Sequence, residues 1–293
     1  MAQTSKRCAE NIAGDFFVDS SCIDCDTCRW MAPDVFTRAG EQSAVYKQPL
    51  DETQSLQAMQ ALISCPTASI GYLGKDINIK EVQETFPILI EDNVYHCGYH
   101  SEKSFAAASY FIKRDSGNVL IDSPRFTMPL VKELEALGGV KYIFFTHEDD
   151  IGDHQKYHEH FGAKRIIHRG DAEAIPNAEI IVEHDFHSKI DDAEDELVMI
   201  HVPGHTKGSM VLDYQKKFLF SGDHLAYSAE RNQLIAWKNH CGYSWDKQIE
   251  SMEKLIEYYW WWLLPGHGRR FHAHPEAFKV HVEKCVEWMK EFN

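Results

Sequence analysis

Residues 140–154 read VKYIFFTHEDDIGDH, an apolar run, Val140–Phe145, that gives way to Thr146–His147 and then to four carboxylates and a second histidine. A short run rich in β-branched and aromatic residues with polar boundaries predicts a buried strand. A strand that delivers a histidine and aspartates at its end predicts a site built on strand-end loops. Three later fragments have the same character: PGHTKGS (Pro203–Ser209) follows LVMIHV (Leu197–Val202), FSGDH (Phe220–His224) closes FLFS (Phe218–Ser221), and LPGHG (Leu264–Gly268) stands near the end. Imidazole nitrogen together with carboxylate oxygen suits zinc, iron or manganese better than soft or purely oxygen-seeking ions.

Working outward, further strands are predicted at Tyr110–Lys113, Asn118–Asp122, Lys164–His168 and Met210–Tyr214. Helices are predicted at Met128–Leu137, stopped by Gly138–Gly139, and at Lys156–Phe161, Trp245–Trp262 and Phe278–Phe292. Short strands mixed with helices imply sheets covered by helices, an α/β layered fold. Trp260, Trp261 and Trp262 just before LPGHG either line a pocket or pack helix against sheet. The charge run Asp191–Glu196 reads as a solvated turn.

The first third is different. CIDCDTC carries Cys22, Cys25 and Cys28, and Cys65-Pro66 follows far along. Three thiolates spaced by two residues wrap one face of a cubane cluster, and a distant fourth closes it. Zinc ribbons usually offer two separated pairs, which this is not. Where a second cluster would need a Cys-Pro, the chain has Ala32-Pro33, so one [4Fe–4S] cluster is expected. The other four of the eight cysteines are scattered, against a disulfide framework. Residues 51–63 (DETQSLQAMQALI) have helical spacing, and 76–88 hold the expected linker.

The chain has 293 residues, enough for about two domains. The division expected is a flexible lead-in at 1–15, a cluster domain at 16–85 and a metal-binding domain at 89–293. The net charge of −15 argues against nucleic-acid and membrane-surface partners. The start, MAQTSKRCAENIAGD, lacks the apolar core of a secretory signal, and no apolar run approaches the ~18 residues of a membrane span. A cytoplasmic location is expected, or an organellar stroma if a precursor was trimmed.

The segment CIDCDTCRWMAPDVF, with CPTASI at its far end, resembles a bacterial-type single-cluster ferredoxin over roughly residues 16–75. From about residue 89 the chain resembles the metallo-β-lactamase fold superfamily, the αββα hydrolases that include glyoxalase II and related thioester and lactone hydrolases. Together the two resemblances imply an α+β ferredoxin-like domain followed by an αββα sandwich. The second implies metal ligands at His147, His205 and His267, with Asp223 as the bridging aspartate. The family's first motif, T-H-x-H-x-D-H, is altered: Asp149 stands at the second histidine, and the Asp-His step falls on Ile151-Gly152, which cannot bind metal. Asp153-His154 comes two residues late. The expected ligands are therefore His147, Asp149, Asp153, His154, His205, Asp223 and His267, with Asp149, Asp153 and Asp223 in catalytic roles. A carboxylate in this motif also resembles the flavodiiron branch, which uses H-x-E-x-D-H.

Three functions follow from these resemblances. The first is a hydrolase of a small ester, thioester or lactone, with one or two Zn, Fe or Mn ions and a fused iron–sulfur domain. The second is a redox protein in which the cluster, served by a partner protein, passes electrons to an iron centre in the second domain. The third is a non-catalytic metal-binding scaffold. His96, Cys97 and His100 in YHCGYHSEK read as groups behind a site, at a domain boundary or on the surface, and Cys241 in NHCGYSW sits in a loop before a helix, where the resemblance implies substrate-facing residues.

Overall fold

The computed structural model describes residues 2–183, 187–190 and 197–291; the charge run Asp191–Glu196 lies outside them. The chain forms two compact units, Met1–Lys113 with Pro124–Gly139, and Arg114–Ser123 with Val140–Asn293. Residues 89–113 and 124–139 thus fall in the first unit, beyond the change of composition near residue 85.

In the first unit, β1 (Phe16–Val18) precedes the cysteine loop and α1 (Thr27–Met31) follows from it. The hairpin β2 (Phe36–Ala39) and β3 (Gln42–Val45) comes next, then α2 (Glu52–Ser64) and β4 (Ile70–Tyr72), which pairs antiparallel with β1. Helix α2 starts where the Asp51 carboxylate accepts from the Gln54 N–H at 2.8 Å. It ends at Cys65 because Pro66 cannot continue it. Residues 2–15 are bonded to this framework: the Cys8 N–H donates to Val18 O at 3.0 Å. Asn11 Oδ1 accepts from the N–H groups of Val18 and Val45, both at 2.9 Å. After a short helix, α3 (Ile79–Gln83), within the expected linker, β5 (Ile88–Glu91), β6 (Val94–His96) and β7 (Tyr110–Ile112) run as an antiparallel meander. Helix α4 (Met128–Ala136) also belongs here. Arg125, just before it, is bonded to Tyr99 O through its N–H and to Ile63 O through its guanidinium.

The second unit contains two sheets. In the first, β8 (Val119–Ile121), β9 (Tyr142–Phe144), β10 (Lys164–His168) and β11 (Ile180–Val182) are parallel neighbours in that order, with α5 (His154–Phe161) between β9 and β10. Their buried residues are mostly apolar, as expected of parallel strands covered on both faces, with Arg165 and His168 of β10 the polar exceptions. The second sheet has six strands: β12 (His187–Lys189), β13 (Leu197–His201), β14 (Met210–Tyr214), β15 (Phe218–Gly222), β18 (Trp262–Pro265) and β19 (Phe271–His272). A small hairpin, β16 (Ala226–Ser228) and β17 (Gln233–Ile235), falls between β15 and β18 in the chain. All neighbours in the second sheet are antiparallel except β15 and β18, which run parallel. Helices α6 (Trp245–Leu255) and α7 (Pro275–Glu291) cover it. Their buried residues recur at helical spacing, Trp245, Ile249 and Met252 on α6 and Phe278, Val282, Cys285, Val286 and Met289 on α7. Among the described residues no helix is long and apolar enough to cross a membrane.

The helix expected over Trp245–Trp262 stops seven residues early, at Leu255. Aromatic residues favour strands as much as helices, and here Trp262 pairs with Phe218 as the first residue of β18. Trp260 is fully buried, stacked on Tyr258 with centroids 5.2 Å apart and edge-on to Phe278. It packs helix against sheet; Trp261 is 37% exposed beside His274.

Two outcomes follow. Trp260→Ala should cost about 3–5 kcal/mol in denaturant unfolding, and Trp261→Ala only ~0.5 kcal/mol; equal losses would contradict this packing. Glu179, bonded by the buried Arg165 guanidinium, has its carboxyl pulled from an ordinary 4.5 to about 2. A depressed folded pKa gives stability that is present above pH 4.5 and lost as pH falls toward 2. Glu179→Gln should therefore flatten the stability–pH curve across that window and lower the plateau above it.

Candidate functional site

Each functional loop of the second unit leaves the end of a strand. His147 follows β9, His205 lies between β13 and β14, Asp223 follows β15, and His267 follows β18. Because β15 and β18 are parallel with Gly222 opposite Pro265, Asp223 and His267 emerge at one end. Gly222 makes this possible: its φ is +51°, and a Cβ there would stand 2.4 Å from Thr146 Oγ1. His267 Nδ1 lies 2.7 and 2.9 Å from the two Asp223 oxygens, and the His267 N–H donates to Oδ1 at 3.2 Å.

Two donor groups result. In one, ligand atoms of His147, His205 and Asp223 lie within 4.8 Å of one another; in the other, those of Asp150, Asp223 and His267 do. Asp223 is common to both. His147 Nε2 and His205 Nε2 stand 3.7 and 3.8 Å from Asp223 Oδ2. Asp149 Oδ2 lies 3.3 Å from His205 Nε2 and 3.8 Å from His147 Nε2, but its side chain is 63% exposed and joins neither group.

The electrostatics suit a cation. Burial pulls His147 down to about 4, against the pull of the Asp223 charge, so its ring is neutral with a lone pair to give. Burial would raise Asp223, but the adjacent His267 outweighs it and holds the carboxyl well below the usual range. Asp150 is raised well above the ordinary value by burial, then by the negative charge of Asp223. Asp122, behind Thr146, is pushed up to about 7, mainly by burial. His147 Nε2 and both Asp150 carboxylate oxygens are buried with no hydrogen-bond partner. Buried polar atoms left this way are costly, and these face Asp223. The residues present fit a divalent ion, and the mixed nitrogen and oxygen donors fit zinc, iron or manganese.

Asp153 and His154 stay outside both groups among the described residues. Gly152 turns the chain at φ +47°, packed against Ser123 O, so α5 begins at His154 with Asp153 as its cap. The Asp153 carboxylate lies 3.3 Å from Lys156 Nζ, and the His154 ring stands edge-on to Phe145. Asp150 comes inward instead. The tight 3-10 turn Glu148–Asp150 follows directly on the extended His147 and leaves Asp149 outside and Asp150 inside. Strand-end spacing alone could not choose between adjacent aspartates.

Asp171 also lacked any sequence signal. Its buried carboxylate accepts from Thr206 Oγ1 at 2.5 Å, the Gly208 N–H at 2.6 Å and the Glu148 N–H at 3.2 Å. It thereby ties the residue after His205 to the residue after His147. Asp122 braces the same strand end, accepting from the Thr146 N–H at 2.9 Å.

In the first unit, Cys22, Cys25, Cys28 and Cys65 line one cavity together with Ser43, Ser69 and apolar Val18 and Ile70. Asp24 and Asp26 take left-handed φ values of +57° and +65°, which aspartate tolerates better than most residues and which let the loop wrap. The buried Arg29 guanidinium holds both carboxylates at 2.5 Å. Backbone N–H groups of Ser43 and Ser69 point to Cys22 Sγ at 3.4 Å and Cys65 Sγ at 3.3 Å. Burial pushes the Cys25 and Cys28 thiols up, so their thiolates need a positive partner. Four convergent thiols with amide donors to sulfur fit an iron–sulfur cluster.

Two sheets with histidine- and aspartate-bearing loops at their strand ends define a metal-binding α/β sandwich. The sequence model described as metallo-beta-lactamase superfamily matches residues 104–267, more than half of the chain, and the chain belongs to that family. The model described as 4Fe-4S single cluster domain of Ferredoxin I matches residues 18–72, which include all four clustered cysteines. Hydroxyacylglutathione hydrolase of Pelagibacter ubique (strain HTCC1062) is 29% identical over 170 residues, 48% of this chain and 67% of that protein. The DIM-1 metallo-beta-lactamase exposed to ceftazidime has a TM-score of 0.53 at 17% identity, covering 68% of this chain and 95% of that one. A metallo-beta-lactamase from Pontibacter korlensis has a TM-score of 0.50 at 17% identity, covering 68% and 97%. These likenesses show the αββα fold.

The brace at Asp171 has a measurable consequence. Asp171→Asn keeps the shape but turns one acceptor into a donor facing an N–H or a hydroxyl. It should cost about 1–3 kcal/mol in unfolding free energy and weaken metal retention against a chelator. Unchanged retention in a destabilised variant would confine Asp171 to folding.

Proposed function

We propose that the protein is a metal-dependent hydrolase of a small thioester, ester or lactone, with Cys22, Cys25, Cys28 and Cys65 holding one [4Fe–4S] cluster in a fused domain. The observation that carries the hydrolase reading is the pair of donor groups sharing Asp223. In this reading His147, His205 and Asp223 hold one metal, and Asp150, His267 and Asp223 hold a second. A divalent metal bound there supplies a Lewis acid for the carbonyl and acidifies water.

The chain's own groups supply the rest. The His205 bond and the nearby histidines keep the Asp149 carboxyl below its ordinary pKa, against partial burial. Asp149 is therefore ionised at neutral pH, and exposed enough to take a proton at Oδ2 from a substrate-side group. The neutral His147 offers nitrogen without a competing proton. Asp122, Thr146 and Asp171 fix the loops, so that these groups need not reorganise during reaction. Among the three substrate classes the thioester is favoured, because the relative named hydroxyacylglutathione hydrolase acts, by that name, on an acyl group carried by glutathione.

A second reading is redox chemistry, and one observation favours it. The group at Asp150 has two carboxylates and one imidazole, harder than a histidine-rich set and better suited to iron or manganese. Metal analysis separates the two: zinc at one or two per chain supports the hydrolase, and iron beyond the four atoms of the cluster supports the oxidoreductase.

Asp150→Ala should lose about one metal ion per chain and reduce thioester hydrolysis by about 100-fold or more, read as thiol release alongside metal content. Asp153→Ala should leave both within a few-fold of the parent. The reverse pattern would return the second metal position to Asp153 and His154.

A further inference from the structure

A buried histidine pair from outside the ferredoxin-like match reaches toward the cysteine cavity. His96 and His100 are each 1% exposed, and their Nε2 atoms lie 2.8 Å apart. His100 Nδ1 stands 2.7 Å from Ala106 O and 3.2 Å from Thr27 Oγ1. Thr27 Oγ1 in turn lies 3.4 Å from Cys25 Sγ. Thr27 is buried too, and the Trp30 ring flanks both imidazoles at 5.2 and 6.1 Å. All of these residues belong to the first unit, yet residues 96–106 lie beyond the 18–72 match.

The hydrogens in this chain have one direction. A carbonyl oxygen only accepts, so His100 Nδ1 carries a hydrogen, which faces Ala106 O and the Thr27 oxygen. Thr27 Oγ1 therefore does not donate to His100, and its single hydrogen is left for Cys25. A cluster-bound Cys25 is a thiolate and only accepts, so Thr27 O–H donates to its sulfur. With Nδ1 protonated, a neutral His100 accepts at Nε2 from His96 Nε2–H. The series thus runs from His96 through His100 to Thr27 and Cys25, with Ala106 O sharing the His100 Nδ1 hydrogen.

We infer that Thr27, oriented by His100, is a redox-tuning residue that raises the reduction potential of the cluster through a hydrogen bond to Cys25 Sγ. The inference rests on Cys25 as a cluster ligand and not on the hydrolase reading. Reduction adds one electron to the cluster from a one-electron donor, dithionite in the test below. The added negative charge spreads onto the sulfurs, so a hydrogen bond to sulfur stabilises the reduced form more than the oxidised one. No bond breaks and no proton leaves Thr27. His100 acts through Thr27 by holding the hydroxyl in its donating orientation, and His96 holds the far side of the His100 ring. The segment after the ferredoxin-like module thus supplies part of the cluster's electrostatic environment.

The test is an anaerobic potentiometric titration of the full chain with dithionite, followed by bleaching of the visible iron–sulfur absorption and by the electron paramagnetic resonance signal of the reduced cluster. Thr27→Val keeps the side-chain shape and removes the donor. It should lower the reduced-to-oxidised equilibrium about tenfold, a shift of ~59 mV to more negative potential. Thr27→Ser keeps the hydroxyl and should stay within about twofold of the parent. His100→Leu should shift the potential in the same direction, and the double variant should shift it no further than Thr27→Val alone, as expected if His100 works through Thr27. If His100→Leu does not fold, the Val and Ser pair at residue 27 decides. A Thr27→Val protein with full cluster content and the parental potential overturns the inference while leaving the cluster assignment intact. A parent protein without the visible iron–sulfur absorption overturns both.

Discussion

Asp223 is an ionised carboxylate in an almost buried place, and the surrounding imidazoles make that tolerable. His267 is in direct hydrogen-bond contact with it, and His147 and His205 stand within 3.8 Å. Each comes from a different strand end, so the position of one oxygen pair depends on the register of the whole second unit. The parallel pairing of β15 with β18 is the least replaceable part, because it sets Asp223 beside His267. Gly222 is the local cost of that arrangement: only a residue without a Cβ lets the chain pass Thr146 and turn. Of the three rings, His147 is kept neutral by burial and brings no positive charge to this anion. Asp150, held toward its neutral form by burial, adds two buried oxygens that lack a hydrogen-bond partner. The strand ends therefore converge on a place that is electrostatically incomplete without a cation.

Much of this could be read from the sequence, and the parts that could not share a cause. The strands at Lys164–His168 and Met210–Tyr214 stand at the predicted residues, each built around a short aliphatic stretch, Ile166–Ile167 and Met210–Leu212. His147, His205, Asp223 and His267 were legible because each follows an apolar run. Asp150 was not, because the decision between Asp149 and Asp150 is made by the 3-10 turn after His147. Asp171 was not, because its partners, Thr206, Gly208 and Glu148, are 23 to 37 residues away in the chain. The helix expected through Trp262 failed at the aromatic run, where a partner strand overrode a helical pattern. In each case long-range packing chose between local options of similar energy.

The cysteine loop shows the opposite balance, since nearly everything there is local. CIDCDTC needs two residues in the left-handed region, and it places an aspartate at each. Arg29, one residue after Cys28, reaches back to both and holds the loop closed. Cys65 comes from a distance but is placed by a helix end, where Pro66 ends α2. Such a loop is legible from seven residues because its geometry is set by its own backbone. What lies behind it is not legible: Thr27 sits within the motif, but the histidine it meets is 73 residues on.

Both centres rest on the same physical device. Burial favours the neutral forms of Cys25, Cys28 and Asp150, and with them the forms that bind metal poorly. A group held this way gives up its proton only when a cation arrives, so metal binding and deprotonation are linked. Burial acts on the histidines in the other direction, keeping His147 neutral and ready to donate its lone pair. The site thus combines a ligand that is ready before the metal comes with a carboxylate that becomes one only on its arrival. Asp223, already ionised, lies between them and belongs to both donor groups. A first cation at His147, His205 and Asp223 would need no proton to leave Asp150, whereas a second at Asp150 and His267 would. At the carboxylates, then, filling the position that contains Asp150 costs a proton release that filling the other does not.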